Sequence, residues 1–165
     1  IGFGTGLNAY LTLLYSLENK KKINYTSLEL YPLSEKEIAL LNYPSLLSQD
    51  EEDFKKIHTA SWNKQEKLNS YFQLEKIKAD YTIFDEYKQY DVVFFDAFSP
   101  QKQPEMWTTA LFEKLYAHMH TPAVLSTYCV QGKVKRAMEE VGFSIKKIPG
   151  PKGKREILQA FKIKE

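Results

Sequence analysis

Cysteine is almost absent from this 165-residue chain: Cys129 stands alone. That excludes an internal disulfide framework and suits a reducing compartment. Histidine is scarce as well. His58, His118 and His120 lie far from Cys129 and from any paired-ligand spacing, so no metal centre is expected. No apolar run is long enough to span a bilayer and no leader with a cleavage site is visible, so the reading expects no membrane attachment and a cytoplasmic location. Glycine is also sparing, at seven residues, yet three of them fall within the first six positions. What is plentiful is apolar and aromatic matter, 43% and 14% of the chain, enough for one packed globular domain.

The net charge of +2 conceals an asymmetry. Residues 1–130 carry 13 Lys/Arg and 17 Asp/Glu, whereas residues 131–165 carry 10 and 4. A basic final stretch on a slightly acidic body fits an anionic macromolecule, and fits equally a lysine-rich solvated surface.

Apolar residues at Leu7, Leu11, Leu14 and Tyr15 predict a helix opened by the glycines and closed near Asn19. Residues 23–30 read as a strand ended by Pro32, and Ser34 with Glu37 forms a capping box that starts a second helix near Glu35. Polar residues 45–70 predict short surface helices and loops. Residues 71–78 form the next strand, with Phe72, Leu74 and Lys76 on one face. The run Asp91-Val92-Val93-Phe94-Phe95-Asp96 reads as a strand buried on both faces. A helix over 108–120, a strand over 123–127, a helix over 130–141 ended by Gly142, and strands over 144–148 and 157–163 complete the pattern. This is a doubly wound α/β arrangement, Rossmann-like, with a mostly parallel sheet, a late antiparallel strand and a first strand missing before Ile1. The expectation is therefore a single domain over 1–165, truncated at its N-terminus.

Gly2, Gly4 and Gly6 make a G-x-G-x-G turn at a helix start, where absent side chains permit left-handed backbone and close approach of a ligand. The motif by itself fits dinucleotide and S-adenosylmethionine folds alike. Glu29, at the end of the next strand, stands where such folds place a carboxylate for ribose hydroxyls. Asp80 and Asp96 end the following strands, so Glu29, Asp80 and Asp96 should converge on one crevice; Glu29 as a strand cap and Asp80 as a turn residue are the plainer readings. The segment from Asp96 to Trp107 combines a carboxylate with prolines and aromatics. Methyl transfer to an amine needs a neutral, aimed nitrogen and compensation of the charge it gains, which a carboxylate and a rigid backbone carbonyl supply. Phe98 and Trp107 offer faces for a base to stack on, unless they are core residues beneath the loop. Residues 150–156 form a basic turn that, with Lys133, Lys135, Arg136, Lys146 and Lys147, offers phosphate contacts; a solvated hairpin tip is the alternative. Cys129 reads as a small buried residue.

These stretches resemble the family of methyltransferases that complete 5-methylaminomethyl-2-thiouridine at the tRNA wobble position. The likeness rests on Gly2-Phe3-Gly4-Thr5-Gly6-Leu7-Asn8, Leu28 to Leu33, Asp96-Ala97-Phe98-Ser99-Pro100 with Lys102, Pro104, Met106 and Trp107, Ser126 to Cys129 with Gly132 and Arg136, and Gly150 to Glu156. It implies a class I S-adenosylmethionine fold that methylates the exocyclic amine of 5-aminomethyl-(2-thio)uridine. By resemblance, Gly2, Gly4 and Gly6 would line the methionine part of the cofactor, Glu29 the ribose and Asp80 the adenine, with Thr5, Asn8 and Tyr81 also in the cofactor site. Asp96 would sit at the methyl-transfer centre. Phe98, Ser99, Pro100, Lys102, Trp107, Tyr128, Lys152, Lys154, Arg155 and Glu156 would face the tRNA anticodon region. Lys78-Ala79-Asp80 departs from the Gly-Asp the family usually carries there. With no second domain, the chain resembles the stand-alone form, whose aminomethyl substrate a separate oxidase or modification enzyme supplies. Two other readings stand beside it: a methyltransferase for a small amine or protein side chain, and a catalytically silent RNA-binding module of the same fold. A dehydrogenase is the weakest, since the aromatic loop has no role in hydride transfer.

Overall fold

The computed structural model describes residues 1–85 and 88–163; Lys164 and Glu165 of the basic stretch lie outside the described residues. The chain divides into two compact units, one over Gly2–Tyr81 and the other over Thr82–Glu165 together with Ile1.

In the first unit, α1 (Leu7–Glu18) follows Gly6, and β1 (Ile23–Glu29) runs parallel to β3 (Phe72–Lys78). Between them come α2 (Glu35–Ile38), α3 (Tyr43–Leu46) and α4 (Glu51–Thr59). The Ser34–Glu37 capping box is present in full, although the helix it opens is a single turn. β2 (Lys64–Lys67), which sequence reading passes over because all four residues are polar, pairs antiparallel with β3. The apolar stripe of α1 also differs from expectation. Leu11 and Tyr15 are exposed, while Ala9, Tyr10, Leu13 and Ser16 face inward. Small residues at two of those four positions let the helix approach closely, and Tyr10 and Leu13 then meet Phe54, Ile57, Phe72 and Leu74 in the core.

The second unit holds a four-stranded sheet ordered β4 (Tyr90–Phe95), β5 (Met119–Thr127), β7 (Glu156–Lys162), β6 (Ser144–Pro149). β4 and β5 are parallel; β7 is antiparallel to both β5 and β6. The late antiparallel strand is thus present, within sheets that are mixed throughout. Helix α5 (Thr109–Ala117) ends three residues earlier than expected and β5 starts four residues sooner. Pro122 hides the early part of β5 in the sequence, because proline weakens a strand assignment. The register shift between Tyr90 and Val92 accommodates it: these pair with Met119 and Val124. β4 is not buried on both faces. Val93 and Phe95 are buried, Phe95 against Trp107 and Phe112, whereas Asp91 and Val92 are exposed. Helix α6 (Gly132–Val141) closes at Gly142, as expected.

Candidate functional site

In the first unit the glycine turn begins where Gly2 N donates to Leu28 O at the end of β1 (2.9 Å). Gly4 and Gly6 take φ of +51° and +75°, a region that side chains disfavour. A Cβ at Gly4 would meet nothing within 4 Å, so the turn is open there; at Gly6 it would press on the His58 ring at 3.0 Å. Glu29 is locked beside the turn: Gly4 N donates to Oε2 and Tyr31 N to Oε1, both at 2.9 Å. Each oxygen retains accepting capacity after one such bond, which is what a pair of ribose hydroxyls requires. Ala79 N donates to Glu29 O (3.2 Å), which sets half-buried Asp80 at the neighbouring strand end. Tyr81 is buried at 5% exposure. Thr5 Oγ1 lies 3.0 Å from Tyr43 OH, and half-buried Asn8 sits in the first turn of α1, where its carbonyl accepts from Thr12 Oγ1. The turn, Glu29 and Asp80 therefore belong to one constellation, and an open glycine backbone beside a fixed carboxylate fits a nucleoside-bearing cofactor.

Beneath this turn lies a group that sequence reading missed. Lys76 is 1% exposed, with Nζ donating to His58 O at 2.8 Å and lying 5.4 and 4.9 Å from the Phe3 and Trp62 ring centres. Burial pushes its pKa down to about 8, partly offset by Glu66. His58 is lowered to about 4 by burial and then by the Lys76 charge, against a hydrogen bond with the Thr5 backbone. The signal was present in the sequence: the alternation Phe72, Leu74, Lys76 places a lysine at a core position.

In the second unit, Asp96 leaves β4 exposed, its N–H donating to Ile1 O (2.9 Å). The next two carbonyls are pinned by side chains. Tyr128 OH donates to Ala97 O (2.9 Å) and Trp107 Nε1 to Phe98 O (2.8 Å). Ser99 O accepts from Lys102 N and Gln103 N, and Pro100 is buried, which closes the loop on itself; the Lys102 side chain is exposed. Phe98 presents its ring to solvent at 62% exposure. Trp107 does not: at 6% exposure it packs edge-on against Phe95, Phe112 and Tyr128. Its place among substrate-stacking residues is therefore corrected to that of a buried post under the loop. Tyr128 has its pKa raised by burial, then by Cys129 and Asp96, so it stays a hydroxyl donor. Lys154 Nζ lies 4.7 Å from the Tyr128 ring, which seats one end of the basic turn on the loop's own anchor. Lys152 and Arg155 are exposed, while Glu156 pairs with Lys147 across the β6–β7 hairpin (3.3 Å) and is a hairpin brace. Cys129 is buried.

A family model described as S-adenosyl-L-methionine-dependent methyltransferase matches residues 45–163. The chain belongs to this methyltransferase family. S-adenosylmethionine is its cofactor. Over 166 residues this methyltransferase is 34% identical to the tRNA 5-methylaminomethyl-2-thiouridine biosynthesis bifunctional protein MnmC of Nitrosospira multiformis, covering 96% of this chain and 27% of that protein. The corresponding protein of Leptospira borgpetersenii is 31% identical over 171 residues, with coverage of 96% and 26%. The chain thus spans about a quarter of the length of these curated relatives. Among solved structures, MNMC2 from Aquifex aeolicus superposes with a TM-score of 0.73 at 22% identity, over 96% of this chain and 50% of that one. A Pyrococcus furiosus methyltransferase gives 0.56 at 18%, over 99% and 73%. These likenesses show a class I, Rossmann-like methyltransferase fold.

Proposed function

We propose that this methyltransferase acts on the exocyclic amine of 5-aminomethyl-(2-thio)uridine at the wobble position of tRNA. The observation that carries the reading is the loop after β4. It exposes a carboxylate and an aromatic face while two consecutive carbonyls are held by Tyr128 and Trp107. The names of the relatives, which concern tRNA 5-methylaminomethyl-2-thiouridine biosynthesis, support the choice of substrate. The family match runs from 45 to 163 and so includes parts of both compact units, in support of one methyltransferase domain.

The cofactor supplies the methyl group. Gly4 and Gly6 provide backbone without side chains for it, Glu29 accepts its ribose hydroxyls, and Asp80 is assigned to its adenine. Asp96 accepts hydrogens of the substrate amine, turns the nitrogen lone pair outward and offsets the positive charge that grows on nitrogen. Phe98 stacks on the base. Lys152, Lys154 and Arg155 meet phosphates of the anticodon region. The substrate amine comes from a separate oxidase or modification enzyme, and the reaction is assigned to the cytoplasm. No helix among the described residues is long and apolar enough to cross a membrane.

The test is transfer of label from methyl-labelled cofactor to under-modified tRNA, read by nucleoside mass spectrometry. Label should appear in the wobble nucleoside. Asp96→Ala should lower kcat by about 100-fold, the scale of a lost charge-stabilising group, with tRNA binding retained. Transfer to free amines or proteins but not to tRNA would overturn the substrate assignment. A wild-type protein that binds tRNA without ever methylating it would be the silent module instead.

A further inference from the structure

A lysine buried to 1% exposure with no carboxylate in ion-pair distance among the described residues is a costly feature in a core. Lys76 is such a residue, and its surroundings show where its charge is used. The ammonium donates to the carbonyl of His58, in the last turn of α4. The final carbonyls of a helix have no partner within the helix and carry the negative end of its dipole, so a cation there acts as a C-terminal cap. Phe3 and Trp62 face the same ammonium with their rings and keep it dry. Glu66 is the carboxylate that acts on it electrostatically, and that carboxylate itself accepts the Ser61 N–H.

The carbonyl that Lys76 holds belongs to the residue whose ring touches the glycine turn. His58 is wedged between Phe54, at 4.6 Å between ring centres, and Phe3, at 5.6 Å. Its Nε2 is buried without a hydrogen-bond partner and lies 3.0 Å from where a Cβ on Gly6 would stand. Phe3 O in turn accepts the Gly6 N–H at 2.8 Å. A small pocket beside this group reaches Gly4, the open residue of the turn. A chain of contacts thus leads from β3, through the end of α4, to the left-handed glycines.

We propose that Lys76 and His58 are positioning residues for the cofactor: the buried ammonium caps the last turn of α4, and the imidazole fixed there braces Gly6 and holds the glycine turn in its left-handed shape. Neither residue touches the cofactor in this account. The proposal rests on the glycine turn being the cofactor's seat.

The test uses the full-length protein, Lys76→Met, and calorimetric titration with S-adenosyl-L-homocysteine beside a thermal melt. Methionine keeps the length and apolar stem and removes the charge. The melting temperature should stay the same or rise, because a buried unpaired charge is gone, while affinity falls by about tenfold, the scale of a lost hydrogen bond to a charged group. Amide exchange at Gly4 and Gly6 should speed up in the variant. A merely structural lysine gives the opposite pattern, with a lowered melt and unchanged affinity of the folded fraction, and that result overturns the proposal. Should Lys76→Met not fold, the Gly6→Ala and His58→Ala pair decides. The double variant should bind better than the two single losses combined allow, since removing the ring relieves the 3.0 Å contact and leaves only that with Phe3 at 3.1 Å; additive losses overturn the brace. If the wild-type protein itself fails to bind S-adenosyl-L-homocysteine, the seat falls and this role with it. Equal binding by wild type and variant overturns the proposal and leaves the glycine turn as the cofactor's seat.

Discussion

At the scale of single residues, the first unit contains two groups whose protonation opposes folding. His58 has a folded pKa near 4, below its ordinary 6.5, so the unfolded chain binds more protons between those values. Stability from the neutral imidazole is complete above pH 6.5 and is lost as pH falls toward 4. Lys76, near 8 when folded and 10.5 when free, has the same sign in another window: stability rises as pH climbs from 8 to 10.5. Denaturant titrations across pH 4 to 10.5 should show both slopes. His58→Gln should flatten the acid slope and Lys76→Met the alkaline one; unchanged slopes would place the titrating groups elsewhere. Glu29 allows a second test. Glu29→Gln removes the charge that strengthens its hydrogen bonds and should weaken S-adenosyl-L-homocysteine binding by about 10-fold or more, measured calorimetrically. The amide nitrogen cannot accept, so one of the two backbone donors that hold the carboxylate, Gly4 N or Tyr31 N, also loses its acceptor.

At the scale of elements, the loop after β4 is rigid because its carbonyls have side-chain partners. Trp107→Phe keeps a ring among Phe95, Phe112 and Tyr128 but removes the donor to Phe98 O. It should cost about 1 kcal/mol of stability in denaturant unfolding and lower kcat while leaving cofactor affinity intact. Trp107→Ala should cost about 3–5 kcal/mol, because it also empties the space beneath the loop. The elements show how much the sequence discloses. The Ser34–Glu37 capping box, Gly142 and the alternation of β3 were legible because local chemistry decides them. The inward face of α1 was not, since either of two stripes is apolar and only the neighbours Phe54 and Phe72 choose between them. β2 was hidden for the same reason. Its four polar residues carry no strand pattern, and pairing with β3 alone makes them a strand.

At the scale of the whole molecule, the basic final stretch, proposed to meet tRNA, has part of its charge already engaged. Lys135 pairs with Glu139 and Lys147 with Glu156, each at 3.3 Å, whereas Lys133, Lys146, Lys152 and Arg155 are exposed. tRNA binding should therefore weaken steeply with salt, as counterions released from phosphates must be recaptured. Replacing Lys152 and Arg155 together by Gln should lower the slope of log affinity against log salt by about 1–2 and leave S-adenosyl-L-homocysteine binding unchanged. Methylation of a small amine would show no such dependence, so the salt series also separates the substrate readings.

The sequence by itself determined the local and periodic features: the glycine turn at the head of α1, the carboxylate ending β1, the carboxylate and aromatic loop after β4, and the basic hairpin tip. Backbone freedom, strand alternation and charge placement act over a few neighbouring residues and can be read there. Tertiary structure decided which aromatic of the loop faces solvent, leaving Phe98 exposed and burying Trp107, because Phe95 on β4 and Tyr128 after β5 close over the latter. It also decided that Lys76 meets the end of α4, eighteen residues back along the chain. An alternating pattern specifies the face on which a lysine lies; only the packed helix supplies the carbonyl that receives it.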